Sequence, residues 1–236
     1  MQIIRAKTAG FCFGVRRAVQ LAEKIAAGDA PYVMLGPVIH NDHVIEHLAE
    51  QGVGCVERVD QVPPGCGVII RSHGVSRAVY EELQRRGVEI IDATCPFVKR
   101  IHGIVSRAEE EGQLPVIIGT PTHPEVEGIA GWCRDCRVFE TLDGLKNWAY
   151  SKEDLKNSPI CMVSQTTLTE SLWKMCGEFA KKQFTNLKIF DTICRATEYR
   201  QSEAAGLSEI CQAMVVVGDP KSSNTGRLAM ICREHC

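Results

Sequence analysis

Residues 10–15 read GFCFGV, residues 93–98 read ATCPFV and residues 192–197 read TICRAT. In each stretch a cysteine, Cys12, Cys95 or Cys194, stands at a turn between a strand-like run and a helix-like run. The first follows the strand-like Gln2 to Lys7 and precedes Val15 to Ala27, whose apolar residues recur at helical spacing. Gly36, Gly119 and Gly218 each lie 24 residues beyond one of these cysteines and close the apolar runs VMLG, VIIG and VVVG. Four residues further on stand His40, His123 and Ser222. A fixed period of this kind is the mark of an internal repeat. The three cysteines are therefore read as equivalent positions of one repeated unit, not as three unrelated thiols.

Short β-branched runs alternate with amphipathic stretches through most of the chain. The strand-like runs are YVMLG (32–36), VIIRS (68–72), VEIIDAT (88–94), LPVIIGT (114–120), ICMVSQ (160–165), LKIFDT (187–192) and AMVVVG (213–218). Stretches such as SRAVYEELQRRG (76–87) lie between them with helical spacing. Continuous apolar runs are what buried parallel strands look like, with crossover helices covering both faces. The class is α/β, in three similar domains: 14–95, 96–192, and a third made from 1–13 with 193–236. Ligands of open α/β sheets bind at the carboxyl ends of the strands, so three such ends are expected to face one another around a pseudo-threefold axis. Repeats one and two each carry a later polar strand end, RSHG around His73 and SQTT around Thr166. In repeat three its counterpart would fall beyond Cys236. A truncated third domain is the expectation.

The chain has 236 residues, 44% of them hydrophobic, which suffices for such cores. A formal net charge of −2 gives no bulk attraction to nucleic acid or anionic lipid. No apolar run approaches the roughly 20 residues of a membrane span. The opening MQIIRAKTAG lacks the apolar segment and cleavage site of a signal peptide. A cytoplasmic location without membrane or nucleic-acid partners is the expectation. Twelve cysteines are many for a compartment in which disulfides are rare. Some of them are therefore expected to bind metal or do chemistry, the rest to serve as small buried apolar groups.

One thiolate from each of three strand ends suits an iron–sulfur cluster, since soft thiolate ligands favour iron–sulfur, zinc or copper(I). Four cysteines ordinarily saturate a [4Fe–4S] cluster, so three would leave one iron open. The helix starts that follow the cysteines favour thiolates and other anions. Three buried cysteines that merely pack would look the same one at a time; the shared spacing argues against that. CRDC (133–136) is a competing signal, a lone CxxC able to bind zinc or to cycle as a dithiol. Cys55, Cys66, Cys161, Cys176 and Cys211 have no matched partner and read as packing.

The polar positions suggest an anion pocket. His40 and His123 are equivalent in the repeat, and His73 ends another strand. KSSNTGR (221–227) places Ser222, Ser223 and Asn224 at a helix start, where hydroxyls, an amide and free N–H groups cradle phosphate. The same residues are also ordinary N-caps. Together with the histidines they point to a multiply charged anion such as a diphosphate. In THPEVEG (122–128), Glu125 stands two residues after His123 and could relay protons, although an acidic first turn also suits the helix dipole. Glu127 is the weaker alternative. Thr166 could orient Glu125 or a substrate hydroxyl, with Thr167 a close rival. His43, His47, His102 and His235 are expected at the surface.

GFCFGV, IHN, SHG, DATCP, HPEVEG, SQTT, DTICRAT, RQ and SSNTGRL follow one another from residue 10 to residue 228. In these motifs the sequence resembles the 4-hydroxy-3-methylbut-2-enyl diphosphate reductases, the iron–sulfur enzymes that end the methylerythritol phosphate route to isoprenoids. The resemblance implies a trefoil of three α/β domains around a central [4Fe–4S] cluster held by Cys12, Cys95 and Cys194. It implies that His40, His73, His123, Ser222, Ser223 and Asn224 grip the diphosphate. Glu125 would deliver protons, with His123 and Thr166 beside the reacting end of the substrate. The implied reaction is a reductive dehydroxylation to isopentenyl and dimethylallyl diphosphate, with electrons from a ferredoxin or flavodoxin. A TAGAS-like segment whose serine also holds the diphosphate in that family is absent here. Two other classes fit parts of the pattern: an iron–sulfur hydro-lyase, which consumes no electrons, and a non-enzymatic zinc- or cluster-binding redox protein built on Cys133 and Cys136.

Overall fold

A computed structural model describes residues 2–151 and 153–236. The first unit runs α1 (Phe13–Ala26), β1 (Tyr32–Leu35), α2 (Asp42–Glu50), β2 (Gly54–Val56), β3 (Gly67–Ile70), α3 (Arg77–Arg85) and β4 (Ile90–Asp92). The second runs α4 (Pro96–Glu110), β5 (Leu114–Ile118), α5 (Pro124–Ala130), β6 (Arg137–Phe139), α6 (Leu142–Tyr150), β7 (Ile160–Ser164), α7 (Glu170–Gln183) and β8 (Leu187–Ile189). Each builds a four-stranded sheet, ordered β2-β1-β3-β4 and β6-β5-β7-β8. Every pairing is parallel, with Tyr32 opposite Gly67 in the first sheet and Leu114 opposite Ile160 in the second. The repeat counted in the sequence is thus a repeat of topology.

Successive strand residues point to opposite faces, and each face has its own helices. Met34 and Ile69 pack with Ala18, Ala22 and Leu48 from α1 and α2. Val33, Leu35, Val68 and Ile70 pack on the other side with Leu83 of α3. In the second unit Ile118, Ile160 and Met162 meet α6 and α7, while Ile117, Cys161 and Val163 meet α4 and α5. Each buried aliphatic side chain stabilises the fold by roughly 1.5–3 kcal/mol. Double coverage explains why β3 and β7 read as unbroken apolar runs.

The edge strands β2 and β6 were not expected. They are three residues long, are not fully buried and include polar or small residues, so they lack the apolar signature. Cys55 lies on β2 and is exposed, against the expectation of packing; Cys161 and Cys176 are buried as expected.

The stretches expected to form a third domain, 1–13 and 193–236, depart further from the sequence reading. Among the described residues they contain α8 (Arg195–Ile210) and α9 (Ser223–Cys232). Neither Gln2 to Lys7 nor AMVVVG (213–218) forms a strand. An apolar run becomes a strand only when a ladder partner exists, and among the described residues these two have none. Ile3, Val215 and Val217 consequently stand 81%, 86% and 90% exposed.

Units one and two are joined at a seam beside the strand ends. The Arg77 N–H donates to Gly131 O (3.1 Å), and Trp132 Nε1 donates to Val75 O (2.9 Å). His102 stacks on Trp132 with ring centroids 5.0 Å apart. The expectation of a surface His102 fails because this residue lies on the buried stripe of α4 with Val98, Ile101 and Val105.

Candidate functional site

Cys12, Cys95 and Cys194 occupy one local structure three times. Each is the N-cap of a helix, α1, α4 and α8, with an extended backbone and a half-buried side chain, and none makes a side-chain cap bond. The turns ahead of Cys95 and Cys194 match: Asp92 accepts from the Thr94 N–H (2.9 Å) and Asp191 from the Ile193 N–H (3.3 Å). The cysteine N–H groups then reach across to the neighbouring strand ends, Cys95 to Ser72 O (2.9 Å) and Cys194 to Thr166 O (3.0 Å). Burial pushes both thiols up, while the first-turn N–H groups of their helices and the fields of the other cysteines also act on them. Both Cys95 and Cys194 feel Cys12, so the three thiols form one electrostatic group.

Glycine at position 14 has a physical reason. A Cβ there would come within 2.5 Å of Cys95 Sγ, so α1 approaches the second cysteine through a gap that only glycine leaves open. Among the described residues no group of three or more His, Cys, Asp or Glu is placed to share one metal ion.

The three histidines predicted at strand ends come together. Ring centroids are 4.8 Å apart for His40 and His73, 5.5 Å for His73 and His123, and 6.4 Å for His40 and His123. Burial lowers the pKa of all three, His123 to about 4, and the Arg71 guanidinium lowers each further. They are neutral at pH 7. His123 caps α5, its Nδ1 accepting the Glu125 N–H (3.1 Å), which places the neutral ring's own proton on Nε2. His73 Nδ1 is buried without a partner among the described residues.

Glu125 is 3% exposed in the first turn of α5. Its carboxylate oxygens accept from the Thr166 N–H (2.6 Å) and hydroxyl (2.7 Å). Burial raises its pKa and the Thr166 bonds only partly counter this. The Thr166 carbonyl in turn holds Cys194, so the buried acid stands one residue from a cysteine turn. Ser222 caps α9, accepting from the Thr225 N–H (3.4 Å). Ser223 Oγ lies 2.9 Å from Thr167 Oγ1 and accepts from Gln165 Nε2 (3.3 Å), so the SQTT and SSN segments meet. Asn224 is half-buried beside them in the first turn of α9. Cys133 and Cys136 lie apart, beyond α5, packed against the core of the second unit.

Sequence reasoning assigned no role to Arg71, Gln165, Arg200 or Glu203. An arginine closing the apolar run of β3 was the available signal for Arg71. Gln165 is 1% exposed and takes the Thr120 N–H (3.1 Å), a role visible only once the strand ends converge.

Doubly covered parallel sheets whose carboxyl ends present capping thiols, a histidine cluster and a buried acid define an α/β protein of enzyme type. A family profile described as "LytB protein" matches residues 3–236, and the chain belongs to that family. It is 42% identical over 241 residues to a protein of Caldanaerobacter subterraneus subsp. tengcongensis named 4-hydroxy-3-methylbut-2-enyl diphosphate reductase, covering 100% of this chain and 82% of that one. A protein of the same name from Clostridioides difficile is 37% identical, with 99% and 83% covered. A solved structure of (E)-4-hydroxy-3-methyl-but-2-enyl diphosphate reductase, described as the terminal enzyme of the non-mevalonate pathway, superimposes with a TM-score of 0.74 at 35% identity over 98% of this chain and 82% of that one. The Plasmodium falciparum reductase structure gives 0.88 at 28% identity, over 95% and 71%.

Proposed function

We propose that the chain reductively removes the allylic hydroxyl of 4-hydroxy-3-methylbut-2-enyl diphosphate, yielding isopentenyl and dimethylallyl diphosphate. The balance is two electrons and two protons in, one water out. The observation that carries this is the link from Glu125 through Thr166 to the Cys194 turn, which puts a buried acid beside the thiol trio. Cys12, Cys95 and Cys194 would hold a [4Fe–4S] cluster with one iron free of cysteine, which supplies electrons and a Lewis-acidic position at the hydroxyl. The third unit is the pairing of 1–13 with 193–236, bringing Cys12 and Cys194 to the same centre.

Neutral His40, His73 and His123 offer N–H donors to the diphosphate, and Arg71 supplies positive potential behind them. Ser222, Ser223 and Asn224 at the start of α9 add hydroxyl, amide and helix N–H donors. Anchoring the diphosphate makes the loss of hydroxyl effectively intramolecular. Glu125, whose hold on a proton is strengthened by burial, gives its proton to the departing oxygen, and Thr166 fixes the carboxyl's orientation. Electrons would arrive from a ferredoxin or flavodoxin.

Anaerobic turnover of the allylic diphosphate with and without reductant tests this. Consumption only with reductant, and a loss of about 10²–10⁴-fold in kcat for Glu125→Gln at unchanged iron content, are expected. Turnover without reductant would instead identify a hydro-lyase.

A further inference from the structure

Cys12 sits in a turn that is held differently from the other two. Asp92 and Asp191 shape the turns of Cys95 and Cys194, and strand-end carbonyls take the cysteine N–H groups. The matching position ahead of Cys12 is Ala9, which has no side-chain acceptor, and no strand precedes it. The contacts that replace them come from α8, nearly the whole chain away. Glu203 Oε1 accepts the Lys7 N–H (2.6 Å), and Oε2 accepts both the Thr8 N–H (2.8 Å) and the Thr8 hydroxyl (2.6 Å). Arg200 donates from Nε to Thr8 O (3.1 Å) and from Nη2 to Gly10 O (2.5 Å). Arg16 adds a single local bond to Phe11 O (3.3 Å).

Residues three apart share a helix face, so Arg200 and Glu203 grip the loop from one side. The same helix starts at Cys194. We infer that Arg200 and Glu203 are positioning residues for Cys12, so that α8 carries one cluster ligand at its cap and sets a second through this clasp. The inference rests on the cluster assignment proposed above. It gives α8 control of the spacing between two of the three thiolates, independent of either sheet.

The test uses the full chain, both cluster-free and anaerobically reconstituted with ferrous iron and sulfide. Alkylation of Cys12, Cys95 and Cys194 is followed by peptide mapping in the cluster-free form, and iron per chain is measured after reconstitution. Removing charge-assisted bonds opens a surface loop, so Glu203→Ala should speed alkylation of Cys12 by roughly tenfold while Cys95 and Cys194 keep their rates. Iron per chain should fall and the thermal midpoint should stay near that of the parent. Glu203→Gln, which keeps one carbonyl acceptor, should lie between the two. An unchanged Cys12 rate, or an equal rise at all three cysteines, would overturn the clasp. Failure of the parent chain to take up iron would overturn the cluster assignment and leave the alkylation rates to decide the clasp.

Discussion

At the scale of single residues the site depends on side chains whose charge is set by burial. His102 and His123 are both held down to about 4 from the ordinary 6.5, chiefly by desolvation. At these two positions the unfolded chain binds more protons than the native one between about 4 and 6.5, so their contribution to stability is lost as pH falls through that window. His102, 4% exposed against Trp132, should account for roughly 3 kcal/mol of that loss. Denaturant titrations across this range should show it, and His102→Gln should flatten the acid limb; an acid limb identical in the two proteins would contradict the assignment. Glu125 works in the opposite sense, since burial raises its carboxyl pKa and favours the protonated form that the proposed reaction would use. His40 and His123 were readable because their spacing repeats, His73 because it ends an apolar run, and Glu125 because it follows His123 at a helix start. Arg71 was not, because a lone arginine at a strand end looks like any surface cation until the fold folds it behind the histidines.

At the scale of elements, the recurring device is a turn and a helix capped by cysteine, preceded by a strand at Cys95 and Cys194 but not at Cys12. GFCFGV contains both the cap and the gap that lets the next one in. Gly14→Ala would put a methyl group 2.5 Å from Cys95 Sγ, with only slight cost to α1, since alanine is the better helix former. The expected outcome is a folded protein with near-parental thermal stability that retains much less iron after anaerobic reconstitution. Parental iron content would show that Cys95 has room to move. The inner strands announced themselves through unbroken apolar runs, whereas β2 and β6 did not, being short edges with no continuous apolar pattern. AMVVVG shows the reverse failure: strand composition without a partner strand yields an irregular segment with Val215 and Val217 exposed.

At the scale of the molecule, two sheets of identical order are docked through Arg77, Gly131 and Trp132, and α8 ties the first residues of the chain to its last quarter. Repeat spacing disclosed the first relationship because it survives in the sequence as a count. The second was hidden, since Arg200 and Glu203 are surface charges at helical spacing and their partners are backbone atoms of Lys7, Thr8 and Gly10. The proposed function requires both arrangements to bring Cys12, Cys95 and Cys194 to a common centre. Iron-edge anomalous diffraction from anaerobically grown crystals measures this most directly. A single compact group of iron peaks bordered by the sulfurs of Cys12, Cys95 and Cys194 is the predicted result; iron bound at Cys133 and Cys136, with those three thiols free, would contradict it.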